Sequence, residues 1–178
     1  IPCVYSKTTG YFDSYEVSKV LDLLRVIDNP RQEIPLAGVM RSFFAAFTTE
    51  ELAVIKGRKR RTQLYDCVTG YAGQEDDTAA KCRNLLDLIE HYRKISRVVT
   101  INELISNIIY NSGYYEYAGT MTGGKLRKAN LEMLVQKARE FEKTSYSGLF
   151  NFLRYIEKLR KYEVDYGEAQ SESEEDDV

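Results

Sequence analysis

The sequence predicts an all-α fold of six to seven helices in one irregular bundle, on three grounds. Apolar residues recur at three- and four-residue spacing rather than in strict alternation. Several helix starts are spelled out as a hydroxyl or Asp followed three residues later by Glu. No two alternating apolar runs are joined by a hairpin signal. At 178 residues and 43% hydrophobic, the chain suits one domain or a large insertion subdomain with a real core.

Ile1 to Ser6 is extended in character, with Pro2 near its start and no second strand in this chain to share a ladder. The first helix follows. Asp13 and Glu16 have capping-box spacing, Phe12 and Val17 staple spacing, and Val17, Val20, Leu21, Leu24 and Ile27 make one apolar face. Asn29 precedes Pro30, so the helix stops there. Pro35 suits the first position of a second helix, running to about Phe47, with Leu36, Val39, Met40 and Phe43 on one face. Thr48 and Glu51 form the next capping box, stapled by Phe47 and Leu52, and Gly57 is a good stop.

Gly70 to Thr78 is polar and reads as a loop. Ala79 to Ser96 is a long helix with Cys82, Leu85, Leu86, Ile89 and Tyr92 inward. Thr100 and Glu103 form a further box, stapled by Val99 and Leu104, and that helix runs to Gly113. Gly123 and Gly124 break the chain before a helix from about Lys125 to Glu142. A last helix runs from about Ser147 to Tyr162, and the polar residues after Tyr166 read as a disordered acidic tail.

Charge is unevenly distributed. Residues 167–178 hold six acids and no base, leaving 25 bases against 21 acids before them, a balance of +4. Mild basicity permits contact with nucleic acid without requiring it. The densest basic run is Lys56, Arg58, Lys59, Arg60 and Arg61, five bases in six residues. It reads either as a solvated loop between helices or as a phosphate-contacting patch. Tyr110, Tyr114, Tyr115 and Tyr117 cluster at a helix end; packing at a helix junction explains them better than base stacking.

Chemistry is sparse. Cys3, Cys67 and Cys82 share no Cys-x-x-Cys spacing and read as reduced thiols. His91 is the only histidine, so no Ser-His-Asp or Cys-His set can be assembled, and a metal site has no partners for it. Residues 119–125 fit the G-x-x-x-x-G-K pattern of a phosphate-binding loop, but Leu126 stands where a Mg²⁺-holding hydroxyl belongs, and no buried strand precedes. Glu174, Glu175, Asp176 and Asp177 lack the ordered spacing of a Ca²⁺ loop. No catalytic, cofactor or metal residue is assigned. No run approaches the ~20 apolar residues of a membrane helix, and no signal peptide is visible, so a cytoplasmic protein is expected.

Several segments resemble, in order, the UvrD-like superfamily-one DNA helicases, and among them the AddA-like helicase-nucleases of bacterial double-strand-break repair. They are Ile1-Pro-Cys-Val-Tyr5; Asp28-Asn-Pro-Arg-Gln-Glu-Ile-Pro-Leu36, with Asn29, Pro30, Arg31 and Pro35; the Ala129, Asn130, Leu131 run with Phe141-Glu-Lys-Thr-Ser145; and residues 148–157. Arg41 to Phe47 departs from the Ser-Pro run usual there. The resemblance implies a mostly helical insertion subdomain of the kind called 2B, within a motor's second domain. Residues 1–8 are then the cut end of a motor-domain strand, 9–166 the subdomain and 167–178 a linker. It further implies a parent that is an ATP- and Mg-dependent DNA helicase and exonuclease in the bacterial cytoplasm, with an AddB-like partner subunit. This piece would be a non-catalytic accessory positioning duplex DNA or touching the partner. The alternative is a free-standing all-α protein-interaction module. A subdomain returns to its parent domain where it left it, so its two ends should lie close together.

Overall fold

The computed structural model describes residues 10–57 and 61–175, with side chains as far as Tyr162. The expected strand at residues 1–8, and Cys3 with it, lies outside the described residues. Those residues contain no strand and form nine α-helices: α1 (Tyr15–Asp28), α2 (Glu33–Met40), α3 (Thr49–Lys56), α4 (Leu64–Tyr71), α5 (Asp77–Ile95), α6 (Ile101–Ser106), α7 (Tyr114–Thr120), α8 (Gly124–Glu142) and α9 (Leu149–Glu175). A 3-10 turn, Tyr11–Asp13, leads into α1, and a π turn, Asn107–Asn111, extends α6.

Helix α1 is the axis of the bundle. Its expected apolar face is buried, and so are Leu23 and Val26 on the other side. A helix apolar nearly all round belongs inside. Accordingly α1 packs against α2, α5, α8 and α9. The core continues through Leu36, Val39 and Met40 of α2, Cys82, Leu85 and Ile89 of α5, Leu131, Leu134 and Phe141 of α8, and Phe152 and Ile156 of α9.

Two of the three expected capping boxes form. Thr48 and Glu51 exchange hydrogen bonds of 3.1 and 2.7 Å, and Thr100 and Glu103 bonds of 3.3 and 2.9 Å. The third does not. Ser14, not Asp13, is the N-cap of α1, without a side-chain cap bond. Asp13 instead pairs with Arg160 of α9, and Glu16 turns inward.

Four boundaries differ from expectation. Pro35 sits at the third position of α2, still within the first turn, where its missing N–H costs nothing. Helix α2 ends at Met40 rather than Phe47. The buried Ser42 hydroxyl donates to Val39 O (2.7 Å) and accepts from Phe44 N–H (3.3 Å), competing with helical bonding. Ala46 then takes a positive φ of 51°. Helices α4 and α7, expected as loop or junction, each span two turns and are held by packing of Leu64, Cys67 and Val68, and of Tyr114 and Ala118. Finally, α9 continues past Tyr162 to Glu175, so residues 167–175 of the expected disordered tail are helical. That stretch contains no proline, and Glu, Ala and Gln are good helix formers. No described helix is long and apolar enough to cross a membrane.

Candidate nucleic-acid interface

The turn between α1 and α2 is built by Pro30. It forces Asn29 out of helical geometry, to φ −144° and ψ 103°. The Asn29 Oδ1 then accepts from the Arg31 N–H at 3.0 Å, a side-chain-closed turn. This turn directs Arg31 and Glu33 at the start of α4. Arg31 grips Asp66 with both guanidinium nitrogens, Nη1 to Oδ2 at 3.0 Å and Nη2 to Oδ1 at 2.9 Å, and donates to Gln63 Oε1 at 2.7 Å. Asp66 holds the Arg31 pKa above its ordinary value.

Glu33 Oε1 accepts from Lys56 Nζ at 3.1 Å and from the Leu64 N–H, orphaned at the first turn of α4, at 2.9 Å. Lys56 first, and that amide second, hold the Glu33 carboxyl below its usual range. Lys56 Nζ also donates to Thr62 O at 2.6 Å. The basic loop therefore leaves α3 at Gly57, whose φ of +51° suits glycine, and returns at Thr62 to the same ammonium. Arg31, Glu33 and Lys56 clamp its two ends together.

Of the five bases assigned to the loop, Lys56 is thus an anchor rather than an open phosphate ligand. Arg61 is exposed. Arg58, Lys59 and Arg60 lie outside the described residues.

Ala129, Asn130 and Leu131 sit elsewhere. Asn29 to Pro35 follow the last turn of α1, whereas Asn130 meets its first turn, about 20 Å away along a 14-residue helix. Ala129 is exposed and Leu131 is buried. Asn130 Nδ2 donates to Glu16 Oε1 at 2.6 Å, and Arg127 Nη1 lies 2.5 Å from Glu16 Oε2. The Tyr114 hydroxyl donates to Glu16 O at 3.2 Å, and the Tyr11 hydroxyl to Asn130 O at 2.7 Å. Glu16 is only 2% exposed. Burial acts to raise its pKa, but Asn130, its own backbone N–H and Arg127 outweigh that and hold it below the usual carboxylate range. A signal for this junction was present in the sequence: Glu16 occupies the 16/20/24/27 stripe otherwise made of Val20, Leu24 and Ile27.

The tyrosine cluster is packing. Tyr114 is buried against Phe43 and Phe44, Tyr117 stacks on Phe43 at 4.8 Å, and Tyr115 donates to Glu132. In residues 119–125, α7 stands where a phosphate-binding loop has its strand. Gly124 lies so close to Gly119 that an added Cβ would fall 2.0 Å from the Gly119 carbonyl oxygen. His91 is exposed and meets only the edge of Tyr92. Cys67 and Cys82 are buried and free, and burial raises the Cys82 thiol to about 11. Among the described residues no three His, Cys, Asp or Glu side chains group as metal ligands.

No protein-family model matches the chain. Curated relatives match it from end to end. Proteins named as the AddA component of an ATP-dependent helicase/nuclease are 40% identical over 181 residues in Bacillus velezensis, 42% over 179 in Alkaliphilus oremlandii and 43% over 180 in Pelotomaculum thermopropionicum, each covering 100% of this chain. The chain spans only 14–15% of the length of these relatives. Along its whole length, it is homologous to one segment of the AddA proteins of ATP-dependent helicase/nucleases.

Proposed function

We propose that this chain is a non-catalytic, DNA-facing segment of an ATP-dependent DNA helicase/nuclease acting in double-strand-break repair in the bacterial cytoplasm. ATP and Mg²⁺ would be bound elsewhere in the parent, which would work with an AddB-like partner subunit. The observation that carries the DNA-facing role is the clamp. Arg31 and Glu33, in the turn that carries the helicase resemblance, hold both ends of the basic loop. A loop with its ends fixed presents its charges at less entropic cost than a free one. The end-to-end match with helicase/nuclease proteins supports the parent.

The test is binding of a fluorescent duplex of about 20 base pairs, long enough for several phosphate contacts, by the 178-residue chain. It is run with and without replacement of Arg58, Lys59, Arg60 and Arg61 by alanine. The reading expects weak, sequence-independent binding that the replacement abolishes while helicity stays unchanged. Equal binding by both proteins would sink the role of the loop and favour an all-α protein-interaction module.

A further inference from the structure

A second surface of different character lies between the end of α8 and the first turns of α9. It is an open cleft of about 270 Å³. Arg154 and Lys158 line it from successive turns of α9, with Tyr146 and Tyr155 beside them, and no carboxylate is among its lining residues. No ion pair with a described acid engages either cation; Arg154 instead lies over the Phe150 ring, 5.8 Å from its centroid. Tyr146 is 69% exposed and Phe150 58%, so two aromatic faces stand in solvent next to two unpaired charges. Tyr155 rests on Phe141, ring centroids 5.5 Å apart, and burial, followed by the nearby Glu140, keeps its phenol protonated as a donor.

We propose that this cleft binds single-stranded nucleic acid, Arg154 and Lys158 taking a backbone phosphate and Tyr146 stacking on the adjacent base. Unpaired cations select an anion, and exposed aromatic faces beside them select one that carries a flat ring. Alternating phosphate and base is the repeat of an unpaired strand, whereas duplex DNA keeps its base faces covered. The volume is below that of a typical enclosed ligand pocket, which fits a strand crossing the surface rather than a buried small molecule. The site shares nothing with the basic loop. It rests on the reading that the chain works on DNA, but it can fail separately.

The experiment measures binding of the 178-residue chain to three probes at about 50 mM salt, where phosphate contacts are strong: oligo(dT) of about ten nucleotides, an abasic strand of equal charge, and a duplex. Oligo(dT) should bind about tenfold more tightly than the abasic strand, and Tyr146→Ala should remove about that factor for oligo(dT) alone. Tyr146→Phe should retain it. Changing both Arg154 and Lys158 to Gln should weaken the oligo(dT) and abasic probes together and reduce the salt slope by about 0.7 per lost phosphate contact. Tyr146 is exposed, so thermal stability should be unchanged and serves as the folding control. Equal affinity for oligo(dT) and the abasic strand, or indifference to Tyr146→Ala, would overturn the proposal. Duplex binding that persists in that case leaves the basic loop standing, whereas loss of every probe would sink both.

Discussion

Arg127 Nη1 lies 2.5 Å from Glu16 Oε2 and joins the first turn of α1 to α8 across 111 residues of sequence. Glu16 is the one buried carboxylate among the described residues. Removing one partner of a buried pair leaves the other uncompensated. Glu16→Ala is expected to lower stability by about 3 kcal/mol and the melting temperature by about 10 °C. The folded carboxyl titrates below its unfolded value, so its contribution is complete above about pH 4.3 and is lost as pH falls through the folded pKa. Denaturant titrations should therefore show the gap between wild type and Glu16→Gln closing below about pH 4. A gap that stays constant from neutral pH down into strong acid would mean that the ionised form is not what stabilises the junction.

The clamp on the basic loop is solvent-exposed, so its effect is on placement rather than global stability. Glu33→Gln should leave the denaturation midpoint nearly unchanged while the Leu64 amide, bonded to Glu33 Oε1, exchanges its hydrogen faster. Unchanged exchange at Leu64 would remove the clamp from the account.

The salt dependence of duplex binding measures how many phosphates the loop meets. About three or four contacts imply a slope of about −3 in log affinity against log salt. Without further contacts, the dissociation constant should be about 10⁻⁴ M or weaker at physiological salt. Replacing Arg58, Lys59, Arg60 and Arg61 by alanine should flatten the slope towards zero. A slope that stays near about −3 would place the contacts elsewhere.

Two glycines of the α7–α8 junction should respond in opposite ways. A Cβ on Gly124 meets the Gly119 backbone carbonyl, which cannot swing aside, so Gly124→Ala should cost about 2 kcal/mol or more. A Cβ on Gly119 meets only the flexible end of Lys128, with Cε at 2.4 Å. Gly119→Ala should be neutral, or stabilising by up to about 1 kcal/mol through helix propensity. Thermal melts of the two variants decide it.

What the sequence disclosed depended on how far each interaction reached. The boxes at Thr48 and Thr100 were legible because both partners lie within three residues and nothing distant competes for them. Asp13 and Glu16 have the same spacing, but Arg160 takes one and Arg127 with Asn130 the other, and no local pattern could announce that. Helices α4 and α7 escaped because each is about two turns long and draws its stability from packing rather than propensity. The basic run was legible as charge. Its clamp was not, since Arg31 and Glu33 are more than thirty residues from their partners in α4.

The pairing of Asp13 with Arg160 has a mechanical consequence. It clasps the way into the bundle to the way out, and α1 packs on α9 just behind it. A pull delivered through the two chain ends converges on that neck and acts there as torque. The helices between would swing together about a single pivot instead of being drawn apart one by one.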